Sequence, residues 1–189
     1  MIKIGILGDI GSGKSYVAQN FGYPVFNADN EVAKLYRTDK EIFKKLNRIL
    51  PEYFVSFPIE KKTVLYAILA NNNNLKKIVK VVHLEIRKKM NSFLQKHNKK
   101  KIIILDIPLL MENKINKKKD VLVYVDSKES EILKRLKKRK NFNSKLLKRF
   151  KNIQLSPEYK KKKSHFIINN NFTKKSVKKG ISHILEEIL

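Results

Sequence analysis

Gly5, Gly8, Gly11 and Gly13 place four of the chain's six glycines just before Lys14 and Ser15. A chain that otherwise avoids glycine concentrates it where the backbone must take positive φ or approach a ligand bare. Residues 8–15, Gly-Asp-Ile-Gly-Ser-Gly-Lys-Ser, fit G-x-x-x-x-G-K-[ST]. That spacing wraps successive N–H groups around a phosphate and points the positive end of the next helix at it. Lys14 then reaches the β- and γ-phosphate oxygens, and Ser15 ligates Mg²⁺. The apolar run at residues 2–7 reads as a buried parallel strand and residues 15–21 as a helix, the context that the motif requires.

The 189 residues suffice for one α/β domain with a sizeable core and small insertions. There is no cysteine, which excludes disulfides and thiolate metal sites. No apolar run approaches the ~20 residues of a membrane span. The chain starts straight into a core strand without the pattern of a signal peptide, so a cytoplasmic protein is expected. The formal net charge of +26 invites a nucleic-acid reading. Only six of the 43 basic residues are arginine, however, and Lys, Asn and Ile are abundant where Ala and Gly are scarce. That is the composition of A/T-rich codons, and the charge reads as a solvated lysine surface with no nucleic-acid partner, the alternative being a functional attraction that includes polyanionic small molecules. Where lysine is the default, a retained arginine signals a need for a planar, bidentate guanidinium.

Five short apolar runs read as strands, at residues 2–7, 24–26, 101–106, 121–125 and 165–169. Most are continuous rather than alternating, as in a sheet covered on both faces. Helical patterns between them give an α/β class with a mostly parallel sheet. About 70 residues separate the second and third strands, too many for a single crossover helix. Helical periodicity at 29–36, 41–50, 61–70 and 75–95 makes this segment, residues 29–97, an inserted helical subdomain of a single domain spanning residues 1–189. Residues 71–74, four asparagines, read as a loop. A basic helical stretch runs from residue 129 to about 163; its lysines 160–163 read as a solvated face, with a single member facing a ligand as the alternative, and residues 173–189 form a closing amphipathic helix.

Several side chains have the chemistry for phosphoryl transfer. Ile102 to Asp106 is an apolar strand ending in Asp, a position that often holds Mg²⁺ or its waters beside the loop serine; Asp126 ends another strand. Either acid also suits a helix cap. Asp29 follows the second strand, as a base for an attacking hydroxyl or as a helix cap. His83 and Arg87, spaced i, i+4, share a helix face that suits an anionic substrate, although a histidine among Val81, Val82 and Leu84 also suits partial burial. Arg135 and Arg139 repeat that spacing, and arginines that close over phosphates stabilise transferred charge. The guanine motif N-K-x-D is missing, since Asn116 to Asp120 has one residue too many.

Taken in order, these motifs resemble the bacterial dephospho-CoA kinase family along essentially the whole chain. Residues 7–15 resemble its T-G-G-I-G-S-G-K-S. Asn27-Ala28-Asp29 stands where the family has D-A-D, and Asp106 to Glu112 resembles D-x-P-L-L-x-E. Ile68 to Asn71 with His83 is similar to its coenzyme-binding region, Arg135, Arg139, Arg149 and Gln154 to its lid, and Ile168-Asn169-Asn170 to its late strand and loop. The chain departs from the family pattern at Asp9, Asn27, Lys62, Leu84 and Phe172.

The resemblance implies a three-layer α/β/α P-loop kinase with an inserted helical substrate subdomain and a helical lid at residues 138–159. It implies transfer of the γ-phosphoryl of ATP to the 3′-hydroxyl of dephospho-CoA, with Mg²⁺ held by Ser15 and, in its outer shell, Asp106. Asp29, Lys14 and Arg139 would be catalytic. Gly11, Ser12, Gly13, Lys14, Ser15, Tyr16 and Asn170 would bind ATP; Lys62, His83, Arg87 and Asp106 would bind the coenzyme. A monomer or weak homo-oligomer is expected. The alternatives are another small-molecule kinase of the same branch and a basic nucleic-acid-binding NTPase.

Overall fold

The computed structural model describes residues 1–140 and 142–189. Its strands are β1 (Ile2–Gly8), β2 (Val25–Asn27), β3 (Ile102–Asp106), β4 (Val121–Asp126) and β5 (Phe166–Asn169). Among the described residues they form one sheet in the order β2-β3-β1-β4-β5, with every pairing parallel. The helices are α1 (Lys14–Asn20), α2 (Ala28–Thr38), α3 (Lys40–Ile49), α4 (Lys61–Ala70), α5 (Asn72–Lys96), α6 (Glu129–Lys137), α7 (Ser144–Lys151), α8 (Pro157–Lys163) and α9 (Lys174–Ile188). No helix among the described residues is long and apolar enough to cross a membrane.

The chain divides into two compact units. The first comprises Met1–Asn27, His97–Asn143 and Lys151–Leu189, and it holds the whole sheet. Strand side chains alternate across the sheet. Ile4, Ile6, Ile102, Ile104, Val123, Val125 and Ile168 face one side, where Val17, Ala18 and Phe21 of α1 and Val177, Ile181 and Ile184 of α9 close a fully buried core. On the other side, Gly5 leaves space for the segment that follows β3. A Cβ at Gly5 would lie 2.5 Å from Leu110 Cδ2 and 3.0 Å from Leu122 Cδ2. Both faces are thus covered, which is why the strands read as unbroken apolar runs.

Local chemistry sets the element ends. Ser156 caps α8 by accepting from Tyr159 N at 3.2 Å, with Pro157 preset for the first turn. Thr173 caps α9 in the same way through Ser176 N. Strand β5 starts one residue later than its apolar run, because His165 Nδ1 accepts the Leu122 N–H at 2.9 Å in place of a ladder carbonyl.

The second unit comprises Ala28–Lys96 and Ser144–Phe150. Its long helix α5 buries Leu75, Ile78, Val82 and Ile86, spaced to form one stripe, against α2, α3 and α4. Asp39 caps α3, accepting from Glu41 N and Ile42 N at 3.0 Å each. The asparagine run is not a loop beyond Asn71. Helix α5 begins at Asn72, because Asn71 Oδ1 takes the Asn73 N–H at 2.8 Å and the buried Asn74 amide donates to Ala67 O at 2.9 Å. Asparagine favours such side-chain bonds to nearby backbone, which start a helix as readily as they end one.

Candidate active site

The loop between β1 and α1 is built on three glycines with positive φ: Gly8 (144°), Gly11 (89°) and Gly13 (93°). Space as well as torsion demands them. A Cβ at Gly11 would sit 3.0 Å from Leu136 Cγ of α6, and one at Gly13 would sit 2.5 Å from Asn170 Nδ2. Gly13 occupies the cap position of α1 and offers no side-chain acceptor to the first-turn N–H groups. Lys14 folds back over the loop, its ammonium donating to Gly8 O at 3.1 Å and Asp9 O at 2.8 Å. Ser12 is buried, and its Oγ finds no hydrogen-bond partner among the described residues. Ser15 and Tyr16 are exposed in the first turn of α1.

Beside the loop, Asp106 ends β3 fully buried. The β2–β3 register sets it opposite Asn27, whose amide donates to Asp106 Oδ2 at 2.5 Å. A carboxylate at position 27 would face Asp106 across that register; the asparagine replaces repulsion with a hydrogen bond. Further along, Glu112 Oε1 accepts the Leu155 N–H at 3.0 Å and so ties the segment before α8 to the turn after β3. Gly8, Lys14, Pro108, Glu112, Gln154 and Lys160 line one cavity. Three or more His, Cys, Asp or Glu side chains suited to hold a metal are not found together among the described residues. The hard oxygens of Ser15 and Asp106 fit Mg²⁺, which takes one or two protein ligands and completes its shell with phosphate and water.

At the other end of the loop, Asn170 is buried and donates to Ser12 O at 2.8 Å, an oxygen that Ser127 Oγ also reaches at 3.0 Å. Asn170 Oδ1 accepts the Phe172 N–H at 2.9 Å, and Phe172 sits at φ 63°, the left-handed torsion that a glycine takes freely. The Arg135 guanidinium lies 4.3 Å from the centre of the Phe172 ring. Arg139 stands exposed beyond the end of α6.

The second unit holds Asp29, Lys62, His83 and Arg87. Helix α2 begins at Ala28, so Asp29 lies within its first turn, where the helix dipole favours a carboxylate. Lys62 Nζ pairs with Glu60 Oε2 at 2.7 Å, and its pKa is raised first by that hydrogen bond. His83 is half-buried. Its Nε2 finds no hydrogen-bond partner among the described residues, and burial first, then the Arg87 charge, holds its pKa below the usual histidine range. Helix α5 passes through Leu84 without a break. Arg149 belongs to this unit too, with a buried Nη1 that likewise finds no partner among the described residues.

Sequence reasoning did not single out two groups. Lys160 is not part of a solvated lysine face: it is 2% exposed, and its ammonium lies 3.3 Å from Asp9 Oδ1. The buried Tyr124 also touches Asp9. Burial, then the charges of Asp9, Asp126 and Glu158, pushes its phenol well above its usual pKa. A run of four lysines carries no mark of which one turns inward; the unexplained acid at position 9 was the available signal.

Comparison with known proteins gives a consistent picture. The CoaE family, described as dephospho-CoA kinase, matches residues 2–176. A dephospho-CoA kinase of Wolbachia pipientis wMel is 33% identical over 190 residues, covering 98% of this chain and 97% of that protein. A solved structure from Thermus thermophilus superposes with a TM-score of 0.79 at 26% identity, covering 100% of this chain and 98% of that one. A dephospho-CoA kinase from Campylobacter jejuni shares the fold, with a TM-score of 0.63 at 20% identity and coverage of 98% and 96%.

Proposed function

The chain belongs to the dephospho-CoA kinase family and phosphorylates dephospho-CoA in coenzyme A biosynthesis, and we propose that the residues above divide the work of transferring the γ-phosphoryl of ATP to the 3′-hydroxyl. The observation that carries this reading is the glycine loop with Lys14 folded over it and Asp106 buried at the end of the neighbouring strand β3. The loop amides and Lys14 hold the β- and γ-phosphates. Lys14 and Arg139 offset the charge that grows on the transferred group. Asn170, Phe172 and Arg135 lie at the Gly13 end, which suits the adenine. Asp29 orients the ribose hydroxyl and takes its proton as the new O–P bond forms and the bond to ADP breaks.

Ser15 would hold Mg²⁺, with Asp106 in its outer shell; when bound, the ion neutralises charge on the β- and γ-oxygens. Lys62, His83 and Arg87 seat the anionic coenzyme, Lys62 exchanging Glu60 for a phosphate oxygen. Residues 138–159, of which residue 141 lies outside the described residues, act as the lid, because an open site would spend ATP on water. The test is direct. Purified protein with Mg-ATP and dephospho-CoA is expected to form CoA and ADP in equal amounts. Formation of no CoA, together with phosphorylation of a nucleoside or nucleotide, would overturn this substrate reading.

A further inference from the structure

Lys160 is a cation that the mechanism above leaves unused. Its ammonium carries three donors. Water supplies little at 2% exposure, and among the described residues its acceptor is Asp9 Oδ1 at 3.3 Å. Charge-assisted bonds of this kind usually close to about 2.7–2.9 Å. A buried charge held by one long contact is under-coordinated, and an under-coordinated buried charge is costly unless a ligand completes its shell.

Position identifies the ligand's chemistry. Lys160 lines the same cavity as Gly8 and Lys14. The Lys14 ammonium sits on Gly8 O and Asp9 O, at the start of the loop. Asn170 and Phe172 crowd Gly13, at the other end. Two lysines therefore converge on the end of the loop farthest from the proposed adenine side, where the terminal phosphate belongs. Asp9 by itself would repel that phosphate. Its carboxylate is 28% exposed and accepts from Lys160, while Tyr124 presses on it from the sheet. Helix α8 is further fixed by Lys161, paired with Asp126 Oδ2 at 2.8 Å, and by the Ser156 cap. The ammonium is thus held in place before any ligand arrives.

We propose that Lys160 is a direct ligand of the γ-phosphoryl group, positioned by Asp9, and that this pair makes the site favour a nucleoside triphosphate over a diphosphate. Asp9 then has a role in the loop: it sets the direction of a second cation. As the γ-phosphoryl leaves for the acceptor, the contact goes with it, and ADP is left with the loop amides and Lys14.

The inference rests on the phosphoryl-transfer reading, yet it is tested apart from it. CoA formation by the unaltered protein judges that reading; the affinity ratio between triphosphate and diphosphate judges this one. Calorimetry with Mg²⁺ would measure binding of a β,γ-methylene ATP analogue and of ADP to the full chain, to Lys160→Met, to Asp9→Asn and to the double variant. Lys160→Met is expected to weaken the analogue by about tenfold or more and ADP by less than about threefold, the loss of one charged hydrogen bond. Lys160→Arg should recover most of the analogue's affinity.

The double variant separates two roles. If Lys160 touches phosphate, Asp9→Asn/Lys160→Met binds the analogue as weakly as Lys160→Met alone. Restoration to within about threefold of the unaltered protein would mean that Lys160 only neutralises Asp9, and the proposal would fail. Equal losses for both nucleotides would overturn it as well. Should Lys160→Met not fold, Lys160→Gln keeps a donor for Asp9 and permits the same comparison.

Discussion

Gly13→Ala separates what a glycine does by torsion from what it does by absence. Its φ of 93° already strains a side chain, and left-handed torsions cost a non-glycine residue about 1–2 kcal/mol. The added Cβ would also lie 2.5 Å from Asn170 Nδ2. That amide cannot retreat at little cost. It is buried, it donates to Ser12 O at 2.8 Å, and its Oδ1 receives the Phe172 N–H at 2.9 Å. Displacing it leaves buried polar groups unpaired, worth about 1–3 kcal/mol. The sum is roughly 2–5 kcal/mol. Gly22 supplies the control. Its φ is 76°, but a Cβ there meets nothing within 4 Å, so Gly22→Ala should cost the torsional part alone, about 1–2 kcal/mol. Urea denaturation of ligand-free protein measures both. Equal losses at the two positions would refute the idea that Asn170 is braced against the loop.

The remaining predictions concern charge. Asp29→Asn should lower turnover by about 10²-fold or more, the scale of lost general-base catalysis, while leaving ATP affinity near normal; unchanged turnover would make Asp29 a helix-terminal acid and nothing more. Lys3 and Asp120 form a buried ion pair at 2.9 Å, and Asp120 Oδ2 also accepts the Lys117 N–H at 2.8 Å. Lys3→Met strands the carboxylate and should cost about 3–5 kcal/mol in a denaturation experiment, with Lys3→Met/Asp120→Asn recovering much of it; a loss below about 1 kcal/mol would contradict this. His83 is held below its usual 6.5, so the unfolded chain takes up the proton first. Its contribution to stability is therefore complete above 6.5 and is lost as pH falls through the window below it. Denaturation midpoints compared on either side of that window should show a smaller acid loss for His83→Gln, and parallel curves would exclude the effect.

How far a residue's role could be read from the chain depended on how local its cause is. The strands were legible to within a residue or so, because burial on both faces writes itself as continuous apolar runs. The one-residue offset at β5 has a remote cause, since the N–H that the His165 ring accepts belongs to Leu122, 43 residues earlier. Three of the four asparagines, Asn72, Asn73 and Asn74, were misread because the same side-chain bonds serve loops and helix starts, and only the pairing of Asn74 with Ala67 O decides between them. Arg139 and Asp29 were nominated by motif and spacing, and their roles await the experiments above.

The order of motifs along the chain was enough to identify a phosphate loop, its strand and helix, and the family to which the chain belongs, because each motif is a short stretch whose chemistry is complete within itself. Asn27 and Asp9 were legible only as departures. Their meaning depends on partners remote in sequence, Asp106 across the β2–β3 register and Lys160 on α8. Which of four consecutive lysines is buried, and which acid receives it, is decided by how α8 lies on the sheet. Charge pairs of that kind are a product of tertiary packing, since neither partner's local sequence contains the other.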